Sequence, residues 1–81
     1  MLSVVRIAGR SLGIMRRFPF EASLQRMSTV VRCLDEPHFR LVVKGSPEMV
    51  IGLSLPSSVP EGLSASLSRL TREGYRVLAL A

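Results

Sequence analysis

Val42-Val43-Lys44-Gly45-Ser46-Pro47-Glu48 is the stretch from which the fold of this chain is read. An apolar run carries a lysine to its end, and a glycine follows. Ser46 suits a helix N-cap and Pro47 suits the first helical position. Lys44 is therefore expected at a strand-to-helix corner, where a cation and free N–H groups face an anion. Gly45 lets the backbone turn and come close to a ligand.

Working back from this corner, His38 to Lys44 alternates as a strand, with Phe39, Leu41 and Val43 on one face and His38, Arg40, Val42 and Lys44 on the other. Asp35-Glu36-Pro37 is a turn signal. Before it, Arg26 to Cys33 alternates too, with Met27, Thr29, Val31 and Cys33 on one face. The two segments form an antiparallel hairpin. Cys33 is expected as a small buried hydrophobe. His38 reads as a solvent-exposed imidazole beside the turn, with no acidic or hydroxyl partner at a catalytic spacing.

Glu21 to Gln25 is a polar connection, and Ile14 to Phe20 is a strand before it. Pro19 holds Phe18 extended and lacks a donor, so it fits an edge or a bend. Phe18 and Phe20 point the same way if the segment stays extended. They are core residues, the commoner case, or a platform for a planar ring.

Working forward, Pro47 to Leu53 reads as a short helix and Leu55 to Val59 as a loop. Ser58-x-x-Glu61 reads as a capping box. Leu63, Leu67 and Leu70 make one stripe of an amphipathic helix, Arg69 and Arg72 suit its last turn, and Gly74 ends it. Tyr75 to Ala81 reads as a closing strand. The sum is an α+β chain: an antiparallel sheet with two helices packed on it.

The 81 residues make at most one small domain with a thin core. The apolar finish Leu78-Ala79-Leu80-Ala81 reads as a strand in mid-sheet, so a piece of a larger protein is expected. Net charge is +5, from 11 Lys+Arg against 6 Asp+Glu, and Lys44 is the one lysine. Arg6, Arg10, Arg16 and Arg17 all precede the first acid, Glu21. With the excess concentrated there, charge alone does not argue for nucleic acid as a partner. One cysteine and one histidine make a multi-cysteine zinc site impossible and a protein-only metal site improbable. No apolar run approaches the roughly 18 residues of a membrane span. On a helical wheel Arg6, Arg10 and Arg17 oppose Met1, Val5, Ala8, Leu12 and Met15, the pattern of a mitochondrial transit peptide. A small mitochondrially targeted protein is the alternative reading of the chain, and an exposed strand end is the plainer reading of these residues.

Phe20, Met27-Ser28 seven residues later, the Lys44-Gly45-Ser46-Pro47-Glu48 corner and Gly74-Tyr75-Arg76-Val77-Leu78-Ala79-Leu80-Ala81, in this order, resemble the nucleotide-binding domain of P-type ATPases. Phe18-Pro19-Phe20, Leu24-Gln25-Arg26-Met27-Ser28 and Val59-Pro60 look most like the polyamine-transporting branch of endosomal and lysosomal membranes. The resemblance covers residues 14–81 as a partial nucleotide-binding domain and leaves 1–13 as an unmatched basic leader. It implies ATP as ligand, with Phe20 stacked on adenine, Lys44 against the nucleotide, Gly45 allowing close approach and Arg76 on the phosphates. It also implies magnesium in the parent protein, for which these residues offer no ligands, and the remaining pump domains as partners. The parent would meet the membrane through helices outside these residues, with this domain facing the cytosol. The family's Asp-Lys-Thr-Gly phosphorylation motif and Thr-Gly-Glu loop do not occur here, so these residues alone would bind nucleotide without turning it over. Where the branch usually has two serines after the second phenylalanine, Glu21 and Ala22 stand.

Overall fold

A computed structural model describes residues 2–81. Five strands form one antiparallel sheet whose spatial order follows the chain: β1 (Ser3–Ile7), β2 (Arg10–Glu21), β3 (Arg26–Cys33), β4 (Arg40–Gly45) and β5 (Ala79–Leu80). Between β4 and β5 come α1 (Pro47–Leu53), a 3-10 turn over Pro56–Ser58 and α2 (Leu63–Arg72). The α+β class with an antiparallel sheet is as the sequence predicts.

The N-terminal residues do not wind into the amphipathic helix of the targeting reading. They pair as a hairpin, Ser3 opposite Ile14 and Ile7 opposite Arg10. Ala8 and Gly9 both have positive φ, 50° and 78°, which is what a two-residue turn matched to strand twist requires. Val4, Val5 and Ile7 favour strand, while Gly9 and Gly13 each cost a helix about 1 kcal/mol. Met1, on the apolar side of the wheel, lies outside the described residues.

β2 is kinked by two register shifts against β3, between Ile14 and Arg16 and between Phe18 and Glu21. The second shift holds Pro19, and β1 pairs with β2 no further along than Ile14. Pro19 thus sits where β2 has a free edge and an irregular ladder, so its missing donor disrupts little. Phe18 and Phe20 are exposed, not core.

Residues paired across the strands share a face. Arg26, Ser28, Leu41 and Val43 line a cavity of about 430 Å³ together with Val50 and Leu53 of α1, which fixes the helix face of the sheet. Met27, Thr29, Val42 and Lys44 occupy the other face, which is open at the Lys44 end, while Val31 and Cys33 further along it are buried. The core is thin, as the length demands: Val31, Cys33 and Val50 are the buried hydrophobic side chains among the described residues.

Ser46 is the N-cap of α1 and Pro47 opens it, but the Ser46 hydroxyl donates to the Gln25 side-chain oxygen, at 3.4 Å, and not to its own helix. The predicted capping box does not form. Ser58 Oγ donates to the Leu55 carbonyl, and α2 begins later, capped by Gly62 with φ 76°. Gly74 closes α2 as predicted: its N–H reaches Thr71 and the Tyr75 N–H reaches Leu70, the paired bonds of a Schellman end. That motif occupies the Tyr75 donor, and opposite residues 76–78 the chain has already left β4 for α1. The closing strand is therefore only Ala79–Leu80, continued by reciprocal bonds between Val43 and Ala81.

Candidate nucleotide site on the open face

Lys44 is the penultimate residue of β4 and lies between Met27 of β3 and Leu80 of β5. It is exposed, and no carboxylate pairs with it among the described residues. Its neighbours on this face are thus apolar, and the ammonium is available to an anion. Phe20 stands at the end of β2. The register returns at Glu21 opposite Arg26, and Arg26 is opposite Gly45 on the helix face. Counting back one residue from Glu21 puts Phe20 on the open face with Met27 and Lys44. Phe18, opposite Ser28, belongs to the helix face. The register shift therefore separates the two rings that a straight strand would align. It also turns Glu21 away from Lys44, so the acid that replaces a serine in the motif does not face the lysine.

Gly45 is buried, and the reason visible in the structure is packing. A Cβ there would lie 2.9 Å from Arg26 Cα and 2.9 Å from its Cβ, and nearer still to the Gln25 carbonyl oxygen. That carbonyl accepts the Ser46 N–H at 3.1 Å. The glycine thus lets the β2–β3 turn close against the end of β4, and this holds Phe20 and Lys44 in their relative positions.

Arg76 is exposed and lies in the irregular stretch between Gly74 and β5, not in a strand. Ala79 is opposite Gly45, so Arg76 precedes the sheet at the Gly45 end of β4. The structure brings Lys44, Met27 and Phe20 to one end of one face and leaves Arg76 at its margin. Met27, seven residues after Phe20 in the sequence, is a further neighbour at this end, directly opposite Lys44. The larger cleft, about 810 Å³ between α1 and α2, is lined by Ile51, Val59, Leu63 and Leu67 among others and involves none of these residues.

A second cluster lies at the opposite end of the sheet. Glu36, in the β3–β4 turn, accepts from Arg10 at 2.9 Å and from Arg40 at 2.7 and 3.1 Å. Its Oε2 is 3.1 Å from His38 Nε2, so the histidine does have an acidic neighbour two residues away. Arg10 also reaches Asp35, and Cys33 Sγ donates to Asp35 at 2.9 Å. The two guanidinium groups pull the Glu36 carboxyl below its usual range, and the thiol and Arg10 do the same to Asp35. The Cys33 thiol is pushed up by donating to Asp35 and by burial. These contacts tie β2 to the β3–β4 hairpin, a role for Asp35-Glu36 that the turn signal alone does not disclose.

The fold is thus a small antiparallel sheet with a lysine and an aromatic exposed at one end of its open face. No family model matches the chain. Among curated proteins, it is 46% identical over 70 residues to polyamine-transporting ATPase 13A3 of mouse and, over the same length, 46% identical to polyamine-transporting ATPase 13A2 of human. Probable cation-transporting ATPase 13A4 of mouse is 35% identical over 78 residues, 96% of this chain. The chain belongs by sequence with the polyamine- and cation-transporting P-type ATPases of this group. It spans about 6% of the length of these relatives. No helix of the described residues is long and apolar enough to cross a membrane.

Proposed function

We propose that this chain is an ATP-binding segment of a polyamine- or cation-transporting P-type ATPase. Phe20 stacks on the adenine, Lys44 lies against the nucleotide, Arg76 takes the phosphates, and Gly45 keeps the β2–β3 turn tight against the corner. What supports the reading is the register: Lys44, without a carboxylate partner among the described residues, lies beside Met27, Glu21 falls on the other face, and counting back from Glu21 sets Phe20 with Lys44. Physical chemistry favours the roles. Base stacking on an aromatic contributes about 1–3 kcal/mol, and a cation on phosphate makes a charge-assisted bond of about 1.5–3 kcal/mol. The segment's part in the pump would be to hold and orient nucleotide. Magnesium and the phosphate acceptor would come from elsewhere in the parent protein, whose placement we take to be endosomal or lysosomal membranes with this segment facing the cytosol.

The test is ATP titration followed by amide chemical shifts. Perturbations are expected at Phe20, Met27, Lys44 and Leu80, with affinity in the millimolar range. Lys44→Ala and Phe20→Ala should each weaken binding about tenfold, the equivalent of about 1.4 kcal/mol. A folded sample showing no shift at Lys44 with ATP in large excess would refute the site.

A further inference from the structure

The turn between β2 and β3 is held from two sides by Gln25. On one side its N–H donates to the Glu21 carbonyl at 2.8 Å, closing the turn onto the end of β2, one residue past Phe20. On the other side Gln25 takes both donors of Ser46. Its backbone carbonyl accepts the Ser46 N–H at 3.1 Å, and its Oε1 accepts the Ser46 hydroxyl at 3.4 Å. Ser46 stands two residues past Lys44, and its own carbonyl accepts the Val50 N–H at the start of α1. Gln25 thus joins the strand end that carries Phe20 to the corner that carries Lys44. The ladder makes the same connection through Glu21, Arg26 and Gly45, and the Gln25 contacts extend it past the last paired residues.

Local preference alone favours neither half of this contact. Gln25 has φ 53°, in the left-handed region where a Cβ is unfavourable and glycine sits easily. Ser46 is placed as the N-cap of α1, yet its hydroxyl makes no bond to that helix. A residue with a side chain keeps a left-handed backbone only where its surroundings hold it, and Ser46 supplies that hold. A glycine at position 25 would suit the backbone and lose the carboxamide. A Ser46 hydroxyl turned to its own helix would cap α1 and release the turn. Both residues instead adopt the arrangement that ties the turn to the Lys44 corner.

We propose that Gln25, through its side-chain bond to Ser46, is a positioning residue for nucleotide: it fixes the spacing between Phe20 and Lys44. The role rests on the ATP reading given above. Gln25 itself does not touch the ligand. A base stacked on Phe20 and a nucleotide held against Lys44 require the two side chains at one separation, and a small misplacement of either weakens both contacts. Gly45 lets the turn and the corner approach, and the Gln25 carboxamide with the Ser46 hydroxyl locks them at that approach.

The experiment is ATP titration of the full 81-residue chain by amide chemical shifts, with a thermal melt of every variant. Gln25→Gly suits the left-handed φ and keeps the backbone carbonyl, so it deletes the carboxamide alone. Ser46→Ala deletes the hydroxyl alone. Each should weaken ATP binding about threefold, the effect of one neutral hydrogen bond. The double variant should also lose about threefold, because both changes remove one shared contact. Ser46→Thr, which returns the hydroxyl, should recover the affinity lost in Ser46→Ala. The Tm of Gln25→Gly should stay within about 4 °C of the unmodified chain or rise above it, so that affinity and stability part. Failure of the unmodified chain to bind ATP refutes the site and the positioning role with it. Binding that neither single variant weakens refutes the role and leaves the site standing. Losses that multiply to about ninefold in the double variant, or affinity that falls only in step with Tm, also overturn the role. Ser46→Ala and Ser46→Thr decide the matter where Gln25→Gly does not fold.

Discussion

Replacing Gly45 by alanine should damage the fold before it touches any ligand. The new Cβ would stand 2.9 Å from both Arg26 Cα and Arg26 Cβ, and closer to the Gln25 carbonyl oxygen. These are backbone atoms and the base of a side chain, so no flexible tip can swing aside. Either the β2–β3 turn or the end of β4 has to move. Overpacking of this kind costs about 1–3 kcal/mol. Moving the turn also strains the Ser46 N–H bond to the Gln25 carbonyl, 3.1 Å long, which contributes about 0.5–1.5 kcal/mol. The expected loss is about 2–4 kcal/mol. At about 4–8 °C per kcal/mol for a domain of this size, Tm should fall by at least about 8 °C. Urea unfolding and thermal melts by far-UV circular dichroism measure both quantities. Gly52→Ala is the control: Gly52 lies within α1, and a Cβ there meets nothing within 4 Å. It should stabilise the chain by about 0.4–1 kcal/mol. A Gly45→Ala protein within about 0.5 kcal/mol of the parent would refute the packing account and leave close approach to a ligand as the reason for the glycine.

Stability should fall on the acid side through Glu36 and Asp35. Both carboxyls are held below their ordinary values of 4.5 and 3.8 in the folded chain, so the folded state binds their protons less readily than the unfolded one. The stabilisation is complete above those ordinary values and is lost as pH falls through the depressed ones; Glu36→Gln should flatten this acid limb in urea titrations run across pH. Cys33, 2% exposed, hydrogen-bonded to Asp35 and with its thiol pKa raised, should be alkylated slowly by iodoacetamide at neutral pH. Reaction at the rate of a free cysteine peptide would contradict the buried placement.

Much of this molecule is local and could be read without coordinates. The alternation in Arg26–Cys33 and in the strand after Pro37 specifies a hairpin, because side chains of a strand alternate between faces whatever surrounds them. Ser46-Pro47 opens a helix and Gly74 closes one, because fixed φ and a missing Cβ are properties of single residues. The order of Phe20, Met27-Ser28, Lys44-Gly45 and Gly74-Tyr75-Arg76 was enough to point to the family that the relatives bear out. The failures are also local patterns, outvoted by long-range pairing. The helical wheel over the first 17 residues lost to a hairpin that β2 makes possible, and Ser58 gave its hydroxyl to Leu55 in place of a helix N-terminus.

What only the tertiary structure decided is which residues share a face. A single extra residue in β2 between Phe18 and Glu21 inverts the alternation, parting Phe20 from Phe18 and turning Glu21 from Lys44. No periodicity in the sequence announces that shift, because it is set by how β2 pairs with a strand whose own register is tied to β4. In the same way Gln25 and Ser46 are 21 residues apart in the chain and hydrogen-bonded in the fold. Residue types and their local order determine the elements; the pairing of distant backbone groups determines the surfaces those elements present.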